Sequence, residues 1–492
     1  MTTKTKPYWR LAKLPLAVSL ASTLAAPAFG VTFNIGEIEG QFDSSLSVGA
    51  SWSTESADKD LIGFNNGGRG LSQTSDDSKL NFKRGETFSK IFKGVHDLEL
   101  RYGDTGVFVR GKYWYDFELK DESRPFKDIS DSNRKEGAQS SGGEILDAFI
   151  YHNYAIGNQP GSVRLGKQVV NWGESTFIGN SINSINPIDV AAFRRPGAEI
   201  KEGLIPVNML YLSQSLTDRL SMEAFYQLEW DQTIIDNCGT FFSTADVAAD
   251  GCDSGYHIGS PAIAPLQPVA AAFGQGFRVD SEGVILPRAG DRDARDSGQW
   301  GLALRWLGDE TEYGAYFINY HSRTPIVSTQ NAGLATLAAL PGIIGTANGI
   351  APGSGAGLAQ SVMLGNGRYY LEYPEDIRLY GLSFSTTLPT GTAWSGEISY
   401  RPNLPLQINT TDMTLSLLNP IAPGTSPVAA GPGQDNVGYR RKEVTQVQTS
   451  FTHFFDQVMG AGRFTLVGEI GMAHVGGLES REDLRYGRDS LF

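Results

Sequence analysis

Beyond its first thirty positions the chain has no run of about 18 consecutive apolar residues, so no part of it is built to cross a bilayer as a helix. Cysteine is nearly absent. The two that occur, Cys238 and Cys252, fall in one stretch, and in an oxidising compartment they are expected to form a single disulfide closing a small surface hairpin. The six histidines (His96, His152, His257, His321, His453, His474) are scattered, with neither G-x-S-x-G nor H-E-x-x-H in the chain. His257 is near the cysteines but lacks the close ligand pairing of a zinc site. Asp291, Asp293 and Asp296 have a calcium-like spacing, yet Arg292 and Arg295 interleave them and the closing glutamate is missing. No metal is expected. Nor is a cofactor, because the run Gly353-Ser354-Gly355-Ala356-Gly357 follows no strand and is not a nucleotide fingerprint. Basic residues are outnumbered 41 to 54, for a net charge of −13, which argues against nucleic acid as a partner.

The chain opens with Lys4, Lys6, Arg10 and Lys13 ahead of an apolar stretch, Leu14 to Ala25, and the small residues Ala26, Ala28 and Gly30. That order is a secretory signal, so residues 1–30 are expected to be removed, with cleavage after Ala28 or Gly30. The mature chain is then more acidic still.

Its main pattern has period two. From Gln41 to Ser53, Phe42, Leu46, Val48, Ala50 and Trp52 share one face and mostly Ser, Gln and Asp share the other. From Val107 to Leu119 the odd positions are apolar or aromatic while Arg110, Lys112, Asp116 and Glu118 sit between them. Runs of this kind are read at about 41–53, 91–102, 107–119, 145–156, 163–172, 207–216, 220–230, 299–307, 312–322, 376–388, 393–401, 443–455 and 463–474. Many are long enough to cross a bilayer at barrel tilt, whereas soluble strands cluster near five or six residues. Short turns alternate with long loops at 54–90, 120–144, 173–206, 231–298, 323–375 and 402–442, the asymmetry of bacterial outer-membrane barrels. The expected fold is all-β, a transmembrane antiparallel β-barrel spanning 31–492 with about 14 or more strands. Thirteen runs make an odd number, and the tail Gly476 to Phe492 resembles the start of another surface loop. Closure is therefore expected to be incomplete in this chain, truncated before its final strands.

The stretch Val163 to Tyr211 leaves the strand pattern at Trp172-Gly173 and regains it near Val207. Asn186-Pro187 reads as a helix start, with Asp189 in the first turn, Ile185 stapling onto Val190, and Pro196-Gly197 as the stop. A bulge near Gly166-Lys167 is expected to turn Lys167 and Asn171 inward. The runs GKQVVNWGES (Gly166 to Ser175), NPIDVAAFRRPG (Asn186 to Gly197) and KEGLIPVNMLY (Lys201 to Tyr211), with a second block from Leu371 to Asn409, resemble a proteobacterial family of outer-membrane barrels catalogued as domain of unknown function 1302. The resemblance implies an outer-membrane location in a Gram-negative bacterium. It also implies neighbours of the kind found beside relatives, a periplasmic lipid-carrier-like protein and an inner-membrane permease. Outer-membrane lipid, lipopolysaccharide and the barrel-assembly machinery are the other expected partners.

Lumen and constriction candidates are Arg110, Lys112, Asp116, Glu118, Lys167, Asn171, Glu174, Asp189, Arg194, Arg195, Lys201 and Glu202, where opposed charges would orient a passing solute. A loop salt-bridged to the wall for stability alone is the competing reading. Ala332 to Met363 carries no charge at all, and serves either as an apolar cover to the mouth or as a packed plug or subunit contact. The expected function is a channel or transporter for small or hydrophobic solutes, lipid or hydrocarbon traffic included. The alternatives are a structural or adhesive barrel with a plugged lumen and, as the only enzymatic one, a hydrolase whose Ser and His meet on the outer wall.

Overall fold

The computed structural model describes residues 24–25 and 29–487. Fourteen strands follow one another in an up-and-down antiparallel sheet: β1 Phe29–Ile35, β2 Ile38–Trp52, β3 Thr87–Tyr102, β4 Thr105–Asp116, β5 Ser141–Ile156, β6 Gln159–Gln168, β7 Val207–Ser215, β8 Leu220–Gln227, β9 Trp300–Leu307, β10 Thr311–Tyr320, β11 Ile377–Thr387, β12 Ala393–Gln407, β13 Tyr439–Asp456 and β14 Arg463–Gly476. Leu24–Ala25 add two pairs to β2. All thirteen expected runs are strands. The fourteenth, β1, was not anticipated, although Val31, Phe33 and Ile35 alternate in it and Gly36, at φ 63°, makes the turn into β2. The count is thus even. Among the described residues β14 pairs with β13 only, so the sheet keeps free edges at β1 and β14. The leader expected at residues 1–30 falls largely outside the described residues, as does Phe492.

One face of every strand points away from the interior and is apolar and exposed: Leu46 and Val48 on β2, Ile145 and Ile150 on β5, Leu302 and Leu304 on β9, Leu382 on β11, Val447 on β13. A continuous apolar surface of this size is stable only in hydrocarbon. Aromatic pairs mark its two borders. Trp306 stacks on Tyr313 at 5.6 Å beside one short turn, and Trp300 contacts Phe317 at 5.0 Å at the opposite end of the same strands. Trp300 and Trp306 are six residues apart, about 20 Å at the usual strand rise, close to the apolar band of an outer-membrane barrel.

The long loops emerge at one end and fold together into a cap with its own core. Tyr256, Leu266, Val284 and Leu286 from the β8–β9 connection pack against Leu340, Ile343, Leu358, Val362 and Tyr369 from the β10–β11 connection, with Leu417 from the β12–β13 connection. The uncharged stretch forms two helices, Leu334–Ile350 and Gly355–Asn366, whose inner faces supply that core. Leu334, Ala338, Pro341 and Ile350 remain exposed on the outer side.

Cys238 and Cys252 are bonded, with Cα atoms 6.3 Å apart. A crosslink closing a loop of about 15 residues is worth about 3 kcal/mol in chain entropy. Reduction is therefore expected to make the β8–β9 connection sensitive to protease while the heat-modifiable gel mobility of the folded sheet stays unchanged. Cleavage patterns with and without dithiothreitol check this.

Candidate functional site: the loop inside the sheet

The β6–β7 connection touches the cap through Arg194 and an Asp189–Ile234 bridge but, among the described residues, adds nothing to the cap's apolar core. It turns into the space enclosed by the sheet and is held from both walls. Gly173 makes the turn at φ 92°, and a Cβ there would lie 2.5 Å from Glu397 Oε2. Beside it Trp172 is 1% exposed, its indole N–H donating to Glu223 Oε2 at 2.6 Å and its ring against Phe225 and Tyr316. Ile182 and Ile185 are fully enclosed in the same apolar cluster.

Strands β12 to β14 bind the first half of the loop through its backbone. Glu469 accepts from the N–H groups of Thr176 (2.9 Å), Phe177 and Ile178 (both 2.6 Å). Glu397 accepts from the N–H groups of Glu174 and Ile182. Arg401 donates to the carbonyls of Asn180 and Ser181, each at 2.6 Å. These contacts reach across more than 200 residues of chain, which requires the sheet to wrap around the loop.

Strands β3 and β4 bind the second half through buried charge. Lys112 Nζ lies 2.9 Å from Asp189 Oδ2 and 3.0 Å from Glu144, and Lys93 Nζ lies 2.6 Å from Glu202 Oε1. The side chains of Lys93, Lys112, Asp189 and Glu202 are all 4% exposed or less. Arg195 stands 4.1 Å over the Trp114 ring and donates to Gly137 O at 2.6 Å.

The expected constriction residues are thus only partly brought together. Lys112, Asp189, Arg195 and Glu202 meet. Arg110 faces the interior but pairs with Asp97 and Asp147. Asp116 ends β4 by capping the helix Phe117–Asp121, accepting from Glu118 N and Leu119 N, so the strand stops short of the predicted Leu119. Glu118 is held by Lys90 and Arg124. Arg194 diverges from Arg195 to pair with Asp236 under the cap. Lys201 pairs with Glu199 at 3.1 Å. Glu174 sits across the interior at Glu397.

The expected bulge at Gly166-Lys167 is absent. The β6 register is continuous on both sides, and the irregularity lies at Val109/Gly111 between β4 and β5. Lys167 therefore stays on the face of Leu165, its Nζ reaching Ile145 O at 3.3 Å, and Asn171 is exposed. The helix start also lies three residues later than predicted. Asp189 caps Val190–Arg194 by accepting from Ala192 N at 2.8 Å, while Asn186 bridges the loop's two ends through Val170 N and Ile205 O. Ile185 is drawn into the interior cluster instead of stapling that helix.

Lys93 and Arg401 escaped the sequence reading. Lys93 has the parity of Asp97 and Glu99 on β3, so the interior face already implied it.

Asp291 and Asp296 do not assemble a cation site; they accept from Arg288 and from Trp230 N. Ser44 Oγ lies 2.6 Å from His96 Nδ1 on the outer wall. Similar pairs recur at Thr105/His152 and Thr392/His453, and among the described residues no carboxylate bonds the His96 ring, so the arrangement is local side-chain pairing.

Between loop and cap lies an open cleft with a cavity of about 60 Å³, lined by Phe88, Trp114, Phe241 and Phe242 and by the charged side chains of Asp116, Arg194, Arg195 and Asp236. That is room for a few waters, well short of the several hundred Å³ of a small-molecule pocket.

Three solved structures resemble the chain at 9 to 11% identity. They are a Salmonella typhi OmpF complex with daunomycin (TM-score 0.30, 9% identical, covering 89% of this chain and 85% of that one), the outer membrane channel DcaP of Acinetobacter baumannii (0.30, 11%, 88% and 79%) and OprB of Pseudomonas putida at high pH (0.24, 9%, 89% and 94%). No curated protein matches. The family described as Protein of unknown function (DUF1302) matches residues 11–490, nearly the whole length, and the chain belongs to that family.

Proposed function

We propose that this protein loses its leader on export, is delivered to the outer membrane of a Gram-negative bacterium, and acts there as a channel or transporter for small apolar or amphipathic solutes. The observation that carries the reading is the inward loop, tied to opposite walls by Glu397 and Glu469 on one side and by Lys93 and Lys112 on the other, with an aromatic cleft of Phe88, Trp114, Phe241 and Phe242 between it and the cap. Widened by movement of that loop, the cleft would give an apolar body aromatic contacts and an anionic head the Arg195 guanidinium, Arg194 being already paired with Asp236. Beneath it, the buried pairs of Lys93 and Lys112 are weak devices for stability, because desolvation offsets most of their attraction. Their place where β3 and β4 meet the inward β6–β7 loop fits a constriction that a solute displaces. The uncharged helices of the cap add an apolar approach to the mouth.

A plugged barrel with a surface role is the second reading, favoured by the fully enclosed Trp172, Ile182 and Ile185. Single-channel recording separates the two. Mature protein, its mass confirming leader removal, is refolded and inserted into a planar bilayer with and without a medium-chain fatty acid. Stable steps that the fatty acid blocks, and that the Arg195→Gln variant leaves unblocked, support transport. A silent bilayer from folded protein overturns the open-channel reading in favour of the plugged barrel.

A further inference from the structure

In the cap, Asp76, Asp77 and Asp246 bring one carboxylate oxygen each to within 4.8 Å of one another. All three residues are buried, at 0, 6 and 2% exposure. Asp76 and Asp77 belong to the β2–β3 connection and Asp246 to the β8–β9 connection. The two segments are laced by Asp246 N donating to Thr74 O at 2.8 Å and by Asp77 N donating to Asp246 Oδ2 at 3.2 Å.

Much of this acidity is answered by ordinary donors. Asp76 Oδ2 accepts from Gly63 N and from Asn66 Nδ2, both at 2.9 Å. Asp77 Oδ1 accepts from Lys127 Nζ, which also pairs with Glu282 at 2.6 Å. Two oxygens are left over. Asp76 Oδ1 and Asp246 Oδ1 are sealed from solvent and accept no hydrogen bond. Buried carboxylate oxygens without a donor are costly, and like charges this close raise the cost further.

We infer that Asp76, Asp77 and Asp246 form a calcium site that ties the β2–β3 loop to the β8–β9 loop. The donor set is all hard oxygen, which excludes the nitrogen and sulfur preferences of zinc and copper. Calcium accepts six to eight oxygens in irregular geometry, whereas magnesium holds its own waters and resists a dry, carboxylate-lined position. The cap sits where the loops of an outer-membrane barrel meet the external medium, and sites of extracellular modules typically bind at about 10⁻⁴ to 10⁻³ M. The ion's part is mechanical: it neutralises carboxylates that otherwise drive two loops apart.

The test uses the mature chain refolded in detergent free of lipopolysaccharide and stripped with EDTA. Calorimetric titration with calcium chloride is expected to show one ion per chain, with magnesium weaker by about ten-fold or more. Calcium should also protect the cap against trypsin. Asp246→Asn and Asp76→Asn are expected to weaken binding by about ten-fold or more and to abolish that protection. They should also resist trypsin better than wild type in EDTA, because each removes one buried like charge. Heat-modifiable mobility reports separately that the sheet has folded, and calcium displacement of terbium luminescence on the wild type needs no variant. The inference is overturned by a wild type that takes up no calcium at about 5 mM and shows equal trypsin resistance with and without EDTA. It is equally overturned by variants that bind calcium as the wild type does.

Discussion

Lys112→Met is expected to free the second half of the inward loop from the β3–β4 wall and to enlarge the conductance of the protein. Lys112 is the shared partner of Asp189 and Glu144, and its side chain is 2% exposed. Methionine keeps the length of the stem and removes only the charge. Asp189 is then left buried, and Glu144 half-buried, without their cation, a loss of about 3–5 kcal/mol when one partner of a buried pair is deleted. The loop has a cheaper course than bearing that cost, namely to move its Asp189 segment toward water. Larger single-channel steps and new trypsin cleavage after Arg194 are the readouts. The double variant Lys112→Met/Asp189→Asn should recover much of the closed behaviour, since it restores partial neutrality. Unchanged conductance and unchanged trypsin resistance in the single variant would remove the loop from any gating role.

Trp172→Ala is the second large effect. The indole fills the interior between Phe225, Tyr316 and Gly301 and donates to Glu223. Deleting a fully buried tryptophan typically costs about 3–5 kcal/mol. Glu223 keeps Arg305 at 3.3 Å, so its charge is not stranded and the loss is mainly one of packing. The expected result is a lower temperature for the loss of heat-modifiable mobility. A marked rise in current noise should accompany it, as the first half of the loop then loses its apolar anchor and rests on polar contacts from Glu397, Arg401 and Glu469. Trp172→Phe, which keeps most of the volume and loses only the N–H, should fall between the two. A melting temperature equal to wild type for the alanine variant would show that the interior cluster carries no load.

Much of the barrel could be read directly. Period-two alternation over long runs marks which residues face lipid, because a one-residue slip would turn every side chain to the wrong side. That constraint is why Val107, Tyr113, Leu302 and Leu304 lie outward as their parity requires. Strand ends were less legible, since local capping competes with continuation of the ladder. Asp116 shows it: its carboxylate gathers Ser89, Lys90 N, Glu118 N and Leu119 N, and β4 turns into a helix there. β1 was hidden for a different reason, lying where the leader's apolar composition blends into the first alternating residues.

By itself the sequence determined the thirteen long strands, the alternation of short turns with long loops, the departure from strand pattern at Trp172-Gly173 and the Cys238–Cys252 bond. Each of these follows from local chemistry, either a side chain's parity on a strand or a spacing within one segment. Only the tertiary structure decided which charges meet. Lys112 finds Asp189 and Lys93 finds Glu202 across roughly a hundred residues, while the adjacent Arg194 and Arg195 part company. The same holds for Asp76, Asp77 and Asp246, which nothing in their spacing unites. Pairing of this kind depends on how the sheet curls and how its loops pack, and a linear pattern does not carry that geometry.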